Sequence, residues 1–249
     1  MDKLIKQWKK DEKAPFQGWD FSYIKGRHKF CEPPWDYIAL AKERMKKTTS
    51  VLDIATGGGE IFATILSSFR PNKIVAIEGY KPNVAVASNN LKNLNVDVIF
   101  ANETKKLPFK DGEFDLVLNR HGGLNVPEIS RILKSGGVFF TQQVGGLNWF
   151  DLMEDFGTKP KWPWNTLKKV SKSLKDNGFE IERSEEYEDK TIFQDVGALV
   201  YVLKAVPWTV DDFSVEKYSA VLKRLNKKVE INGRLEYFSK NFLIHAVKK

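Results

Sequence analysis

The chain of 249 residues has little of what usually staples or anchors a protein. Its single cysteine, Cys31, and three histidines exclude an internal disulfide framework and any Cys/His cluster of zinc-site spacing. Long apolar runs are missing: the longest, Val196 to Leu203, stops at Lys204, far below the roughly 20 residues of a membrane-spanning helix. Internal repeats and low-complexity tracts are also absent. The opening Met1-Asp2-Lys3-Leu4-Ile5-Lys6 lacks the apolar core of a secretion signal, so a soluble protein of the reducing cytoplasm is expected. Acidic charge is in deficit, with 32 Asp+Glu against 40 Lys+Arg and a net charge of +8. Glu216 to Lys249 hold nine basic and three acidic residues, a local balance of +6. Nucleic acid is one reading of that bias. A solvated helix face is the simpler one: Lys217, Lys223, Arg224, Lys227 and Lys228 alternate with Tyr218, Val221, Leu222 and Leu225 on the opposite face.

What is present is an alternation. Short β-rich runs occur at residues 51–55, 73–78, 96–100, 114–118 and 138–142, separated by helical patterns over about 59–69, 83–94 and 125–133. Strands alternating with helices predict an α/β fold with a parallel sheet covered on both faces. A helix over 165–176 follows, with Asn165 as its expected N-cap, then a sixth strand at 179–183 and a last one at 241–247. Four regions are expected: an N-terminal helical cap (1–47) rich in tryptophan, a core (48–190), an insertion or lid (191–238) and the final core strand (239–249).

The most informative stretch is Val51-Leu52-Asp53-Ile54-Ala55-Thr56-Gly57-Gly58-Gly59-Glu60. A buried strand runs into three glycines and then a helix, so bare backbone and a helix N-terminus face a ligand. A dinucleotide fingerprint needs a third small residue where this chain has Phe62, and a P-loop needs Gly-Lys-Ser/Thr where it has Gly58-Gly59-Glu60. Both phosphate readings weaken.

An acid followed by small residues at Ala55, Gly57 and Gly59 resembles the first motif of class I S-adenosylmethionine-dependent methyltransferases, with Ala55 in place of the first glycine. Four more pieces resemble that family in the same order. They are Glu78-Gly79-Tyr80 at the end of the next strand, Glu103-Thr104 ahead of Leu107-Pro108-Phe109, the Asn119-Arg120-His121 strand end, and Arg131-Ile132-Leu133-Lys134-Ser135-Gly136-Gly137. The likeness spans about residues 51–141. It implies a doubly wound, seven-stranded Rossmann-like sheet with the last strand antiparallel, and S-adenosylmethionine as cofactor. It also implies a binding set of Tyr23, Asp53, Ala55, Thr56, Gly57, Gly59, Glu78, Gly79, Tyr80, Glu103, Thr104, Asn119 and Arg120. Within that set Glu78 takes the ribose hydroxyls, while Glu103 and the Thr104 amide lie at the adenine. No metal is implied.

His121 is the one histidine at a strand's carboxyl end, where ligands of open α/β sheets bind, and it is the candidate general base. Packing against the cofactor is its alternative role, and Arg120 is also a candidate anchor for a substrate carboxylate. Trp19, Tyr23, Gln142, Gln143, Phe193, Tyr201 and Trp208 are candidates for the acceptor pocket, with core packing favoured for Tyr201 and Trp208. The expectation is therefore a methyltransferase acting on a small-molecule acceptor. An RNA methyltransferase using the basic C-terminal segment, a binding protein without turnover and an NAD-linked oxidoreductase are its alternatives.

Overall fold

A computed structural model describes residues 2–16 and 20–249; the acceptor-pocket candidate Trp19 lies outside them. In chain order the strands are β1 (His28–Lys29), β2 (Ser50–Ile54), β3 (Lys73–Glu78), β4 (Asp97–Phe100), β5 (Phe114–Arg120), β6 (Leu133–Val144), β7 (Phe179–Phe193) and β8 (Leu235–Lys248). The helices are α1 (Lys3–Lys13), α2 (Tyr37–Met45), α3 (Glu60–Leu66), α4 (Lys81–Leu91), α5 (Val126–Ile132), α6 (Phe150–Asp155), α7 (Leu167–Asp176), α8 (Val196–Ala205) and α9 (Ser219–Asn232). The chain divides into two compact units. A sheet unit comprises Pro34–Val144, Asn165–Glu186 and Asn241–Lys249, and a second unit comprises Met1–Pro33, Gly145–Trp164 and Tyr187–Lys240.

The sheet order is β1-β7-β8-β6-β5-β2-β3-β4. Strands β2 to β6 are parallel to one another, and β8 runs antiparallel to β6. All five residues of β2 are buried, as a strand covered by helices on both faces requires. The sheet unit's core gathers Leu52, Ile77, Phe114, Val117 and Phe139 from the strands with Ile129, Ile132 and Leu174 from the helices. Asp115 is structural, as it accepts from the Thr49 and Ser50 amides (3.0 and 2.9 Å) and pairs with Lys134 at 2.7 Å.

The second unit has its own core around α8, whose residues Val196 to Leu203 are all buried. Asp11 is wholly buried there, and the Arg27 guanidinium bridges it to Asp195, at 3.2 Å to Asp11 and 2.7 Å to Asp195. Gly197 leaves the space for that carboxylate, since a Cβ there would lie 2.3 Å from Asp11 Oδ2. On α9 three of the four basic side chains find acids within the unit: Lys223 pairs with Asp2 at 2.9 Å, and Arg224 and Lys228 pair with Asp155 at 3.2 and 3.0 Å. Leu222 and Leu225 are buried on the other face, which is the helix-face arrangement and not a free cationic stripe.

Several boundaries differ from the sequence expectation. The N-terminal cap contributes a strand, β1, paired with β7 through His28↔Phe193; two residues are too few to carry a period, and the sheet thereby has eight strands. The last two strands also run longer than expected. In β7 half-buried and exposed residues alternate, and the start of β8 carries Glu236 and Lys240, so neither extension forms an apolar run. Thr166, not Asn165, caps α7 by accepting from the Lys169 amide at 3.3 Å. The Asn165 side chain instead donates to the Val144 carbonyl at 2.9 Å.

Candidate functional site

The strand order reverses between β2 and β5: the chain leaves β2 toward β3 on one side, and β5 continues to β6 on the other. Such a switch point opens a crevice beyond the carboxyl ends of the two strands. There Ile54 is paired with Asn119, so the glycine bend after β2 and the segment after β5 are neighbours.

The bend is built from left-handed backbone, with φ of 59° at Ala55, 62° at Gly57 and 84° at Gly59. At Ala55 this costs about 1–2 kcal/mol that glycine would not incur. Its methyl group also shapes the facing turn, because a Cβ on Gly122 would lie 2.5 Å from Ala55 Cβ. Gly59 is bare because a Cβ there would lie 2.9 Å from Leu91 of α4. Gly122→Ala is therefore expected to lower the melting temperature by several degrees, about 1–3 kcal/mol of overpacking. The double variant Ala55→Gly/Gly122→Ala should recover most of that loss in a thermal melt, because the two methyl groups compete for one space.

Glu78, at the end of β3, is buried and tied to the bend. Its Oε2 accepts from the Gly57 amide at 2.7 Å and its Oε1 from the Tyr80 amide at 2.8 Å. Burial raises its pKa against the opposing pull of these amides. Glu103 lies between two bare backbones: a Cβ on Gly79 would stand 3.0 Å from its Oε2 and one on Gly123 3.1 Å from its Oε1, and that same Oε1 accepts from the Gly123 amide at 3.3 Å. Thr104 differs from the implied role, since its amide already donates to Asn102 Oδ1 at 2.9 Å. Tyr80 presents an exposed ring. Asp53, 8 % exposed, has its pKa pushed up to about 7, chiefly by burial and further by the Glu78 charge, against the pull of Thr56 and Arg120.

At the end of β5, Asn119 is buried. It donates to the Gly123 carbonyl at 3.1 Å and accepts from the Gly122 amide at 3.1 Å and from Gln143 Nε2 at 2.7 Å. These bonds shape the turn after β5. Arg120 and His121 are exposed to solvent. His121 holds a φ of 65°, with its amide donating to the Gln142 carbonyl at 2.8 Å. Desolvation, followed by the Arg120 charge, lowers its pKa well below the ordinary imidazole value. The Trp35 indole donates to Gln142 Oε1 at 2.8 Å, and Gln142 Nε2 lies 3.0 Å from His121 Nε2. This chain of three is not legible in the sequence, where Trp35 is one residue of the tryptophan-rich cap.

The structure thus brings together Asp53, the bend, Glu78, Gly79, Glu103, Arg120 and His121 in the sheet unit. Tyr23 belongs to the second unit, where its hydroxyl donates to Asp11 at 3.1 Å and its ring packs 4.9 Å from that of Tyr201. Phe193 and Tyr201 are core residues of that unit, and Trp208 is 40 % exposed.

Residues 52–141 match a protein family described as "Methyltransferase domain". A demethylmenaquinone methyltransferase of Staphylococcus carnosus (strain TM300) is 24% identical over 112 residues, which is 42% of this chain and 46% of that protein. The chain therefore matches about half the length of this curated relative. Among solved structures, the YcgJ protein of Bacillus subtilis superposes with a TM-score of 0.61 at 16% identity, covering 86% of this chain and 98% of that one. A geranyl diphosphate methyltransferase solved with GPP and sinefungin gives 0.51 at 14% identity, covering 85% and 77%.

Proposed function

We propose, from the premise that residues 52–141 form a methyltransferase domain of the class I, Rossmann-like fold, that this protein transfers a methyl group from S-adenosylmethionine to a small-molecule acceptor. The observation that carries the reading is the 2.7 Å hydrogen bond from the Gly57 amide to Glu78. It makes the glycine bend and the acid one strand later into one site, which a nucleoside with a short charged tail fits and a pyrophosphate does not. Glu78 keeps lone pairs for two ribose hydroxyls while the Gly57 and Tyr80 amides hold it in place. The bare backbones of Gly79 and Gly123 admit the Glu103 carboxylate, which would accept from the amino group of the base. Asp53 stands at the end of β2 for the ammonium of the cofactor's methionine end. The relative's name and the neighbour's bound sinefungin, an analogue of S-adenosylmethionine, support the same cofactor and a small acceptor.

When bound, S-adenosylmethionine supplies a methyl group made electrophilic by its sulfonium. The protein's part is to hold an acceptor atom in line with the methyl–sulfur bond and to exclude water from that path. Asp53, the glycine bend and Glu78 would hold the cofactor, and its methyl carbon would exchange the bond to sulfur, with the electron pair left on sulfur, for one to the acceptor, whose proton would pass to solvent.

Two measurements test this. Titration with S-adenosylhomocysteine in a calorimeter should show one site; no binding would end the reading. Methyl-labelled cofactor incubated with separate metabolite and RNA pools should label the metabolites, whereas label in RNA would move the acceptor to nucleic acid. The pH dependence has a definite sign. Asp53, with a pKa near 7, keeps its proton in the folded protein over a range where an unfolded aspartate with the ordinary value of 3.8 has lost it. The empty protein therefore loses stability as pH rises through that window. Pairing with an ammonium needs the ionised form, so affinity for S-adenosylhomocysteine should rise about tenfold from roughly pH 5.5 to 7.5, with proton release. Asp53→Asn should flatten the curve, and a flat curve in the unmodified protein would remove Asp53 from the ligand.

A further inference from the structure

The indole nitrogen of Trp35 can only donate. Its 2.8 Å bond to Gln142 Oε1 therefore fixes which way the buried Gln142 amide points, and it leaves the amide's N–H groups for His121 Nε2 at 3.0 Å. A nitrogen that accepts from an amide carries no proton, so the ring's one proton sits on Nδ1. Both supports of this chain are rigid: Trp35 is 8 % and Gln142 5 % exposed. The His121 backbone is itself held in the left-handed region by the bond from its amide to the Gln142 carbonyl. Residues kept in such strained conformations concentrate at functional sites.

Beside this ring, Arg120 ends β5, exposed, and it forms no ion pair among the described residues. The groups nearest in charge are Asp53 and the Tyr37 hydroxyl, both buried. The end of β5 thus carries an exposed guanidinium and an exposed imidazole on consecutive residues, close enough for the Arg120 charge to act on the ring. We infer that Trp35 and Gln142 hold His121 as a neutral Nδ1–H donor, and that His121 and Arg120 together form a subsite for a carboxylate or other oxyanion carried by the methyl acceptor. The assignment rests on the methyltransferase reading above and gives it an acceptor class. It makes Trp35 and Gln142 positioning residues, and it gives His121 the role of donor in place of general base.

The test uses the full chain, saturated with S-adenosylhomocysteine and labelled with 15N-histidine. With three histidines in the sequence, the His121 signals are assigned by their loss in His121→Asn. The expected ring spectrum is that of the Nδ1–H tautomer, unchanged from about pH 5.5 to 8; an Nε2–H tautomer or a protonation step in that range overturns the proposal. Gln142→Glu accepts from both neighbours and should move a proton onto Nε2, a signature that loss of packing alone would not produce. Acetate should shift the Nδ1–H resonance saturably and acetamide should not. Arg120→Gln should weaken the acetate response about tenfold, as expected for a lost charge-assisted bond. Equal responses to acetate and acetamide, or none to either, refute the subsite. If Arg120→Gln instead weakens S-adenosylhomocysteine while leaving 5′-methylthioadenosine, which lacks the amino-acid tail, unaffected, Arg120 holds the cofactor's own carboxylate and the proposal fails. Failure of the methyltransferase reading is separate, since it shows as absence of S-adenosylhomocysteine binding in the unmodified protein.

Discussion

Gly57→Val is expected to weaken S-adenosylhomocysteine binding by about 100-fold or more while the far-ultraviolet circular dichroism spectrum stays that of the unmodified protein. Gly57 holds a φ of 62°, which a β-branched residue adopts only at the cost of strain. The chain can relieve that strain by rotating the Gly57 peptide, and this rotation breaks the 2.7 Å bond to Glu78. The parallel strands are unaffected because Gly57 lies beyond β2, whose last residue is Ile54. Affinity retained within a few fold would show that the bend is not part of the binding site.

The second large effect is expected at Glu78. Glu78→Ala removes the acceptor for two backbone amides and, in the complex, for the ribose. An unpaired buried polar group costs about 1–3 kcal/mol, so affinity should fall about 10- to 100-fold and the melting temperature should fall with it. Glu78→Gln separates the two losses: it keeps the size and one accepting oxygen, but turns an N–H toward one of the amides. It should lose affinity nearly as fully as the alanine variant while losing less stability. Because Gly57→Val and Glu78→Ala break the same bond, their combined effect should be well short of additive. Additive losses, or unchanged affinity in a folded Glu78→Ala, would place Glu78 outside the site.

Much of this arrangement was legible from the residues alone. The runs Val51 to Ala55 and Lys73 to Glu78 are continuous enough to fix two buried strands, and Asp53, the glycines and Glu78 follow at spacings that mark one end of the sheet. Less legible were features that depend on which strands become neighbours. Ala55 stands where the resembling motif has glycine, yet its left-handed backbone and the 2.5 Å approach to the Cβ position of Gly122 make it half of a matched pair. The bonds of Asn119 to Gln143 and to the Gly122-Gly123 turn depend on pairing across the sheet, which no single segment shows. The added lengths of β7 and β8 carry no apolar run, so hydrophobic pattern could not mark them.

By itself the sequence determined the α/β class of fold, the succession of the core strands along the chain and the glycine bend after β2. These follow from local periodicity and from the backbone freedom of glycine, and both are properties of short segments. The tertiary structure decided the hydrogen-bonded setting of His121, the buried state of Asp53 and the exposure of Arg120. Each of these depends on groups distant in the chain: Trp35 reaches His121 only through Gln142, across the pairing of Arg120 with Gln142 on adjacent strands. A hydrogen bond's direction is fixed by which of its partners can only donate, and no periodicity in a single segment encodes that.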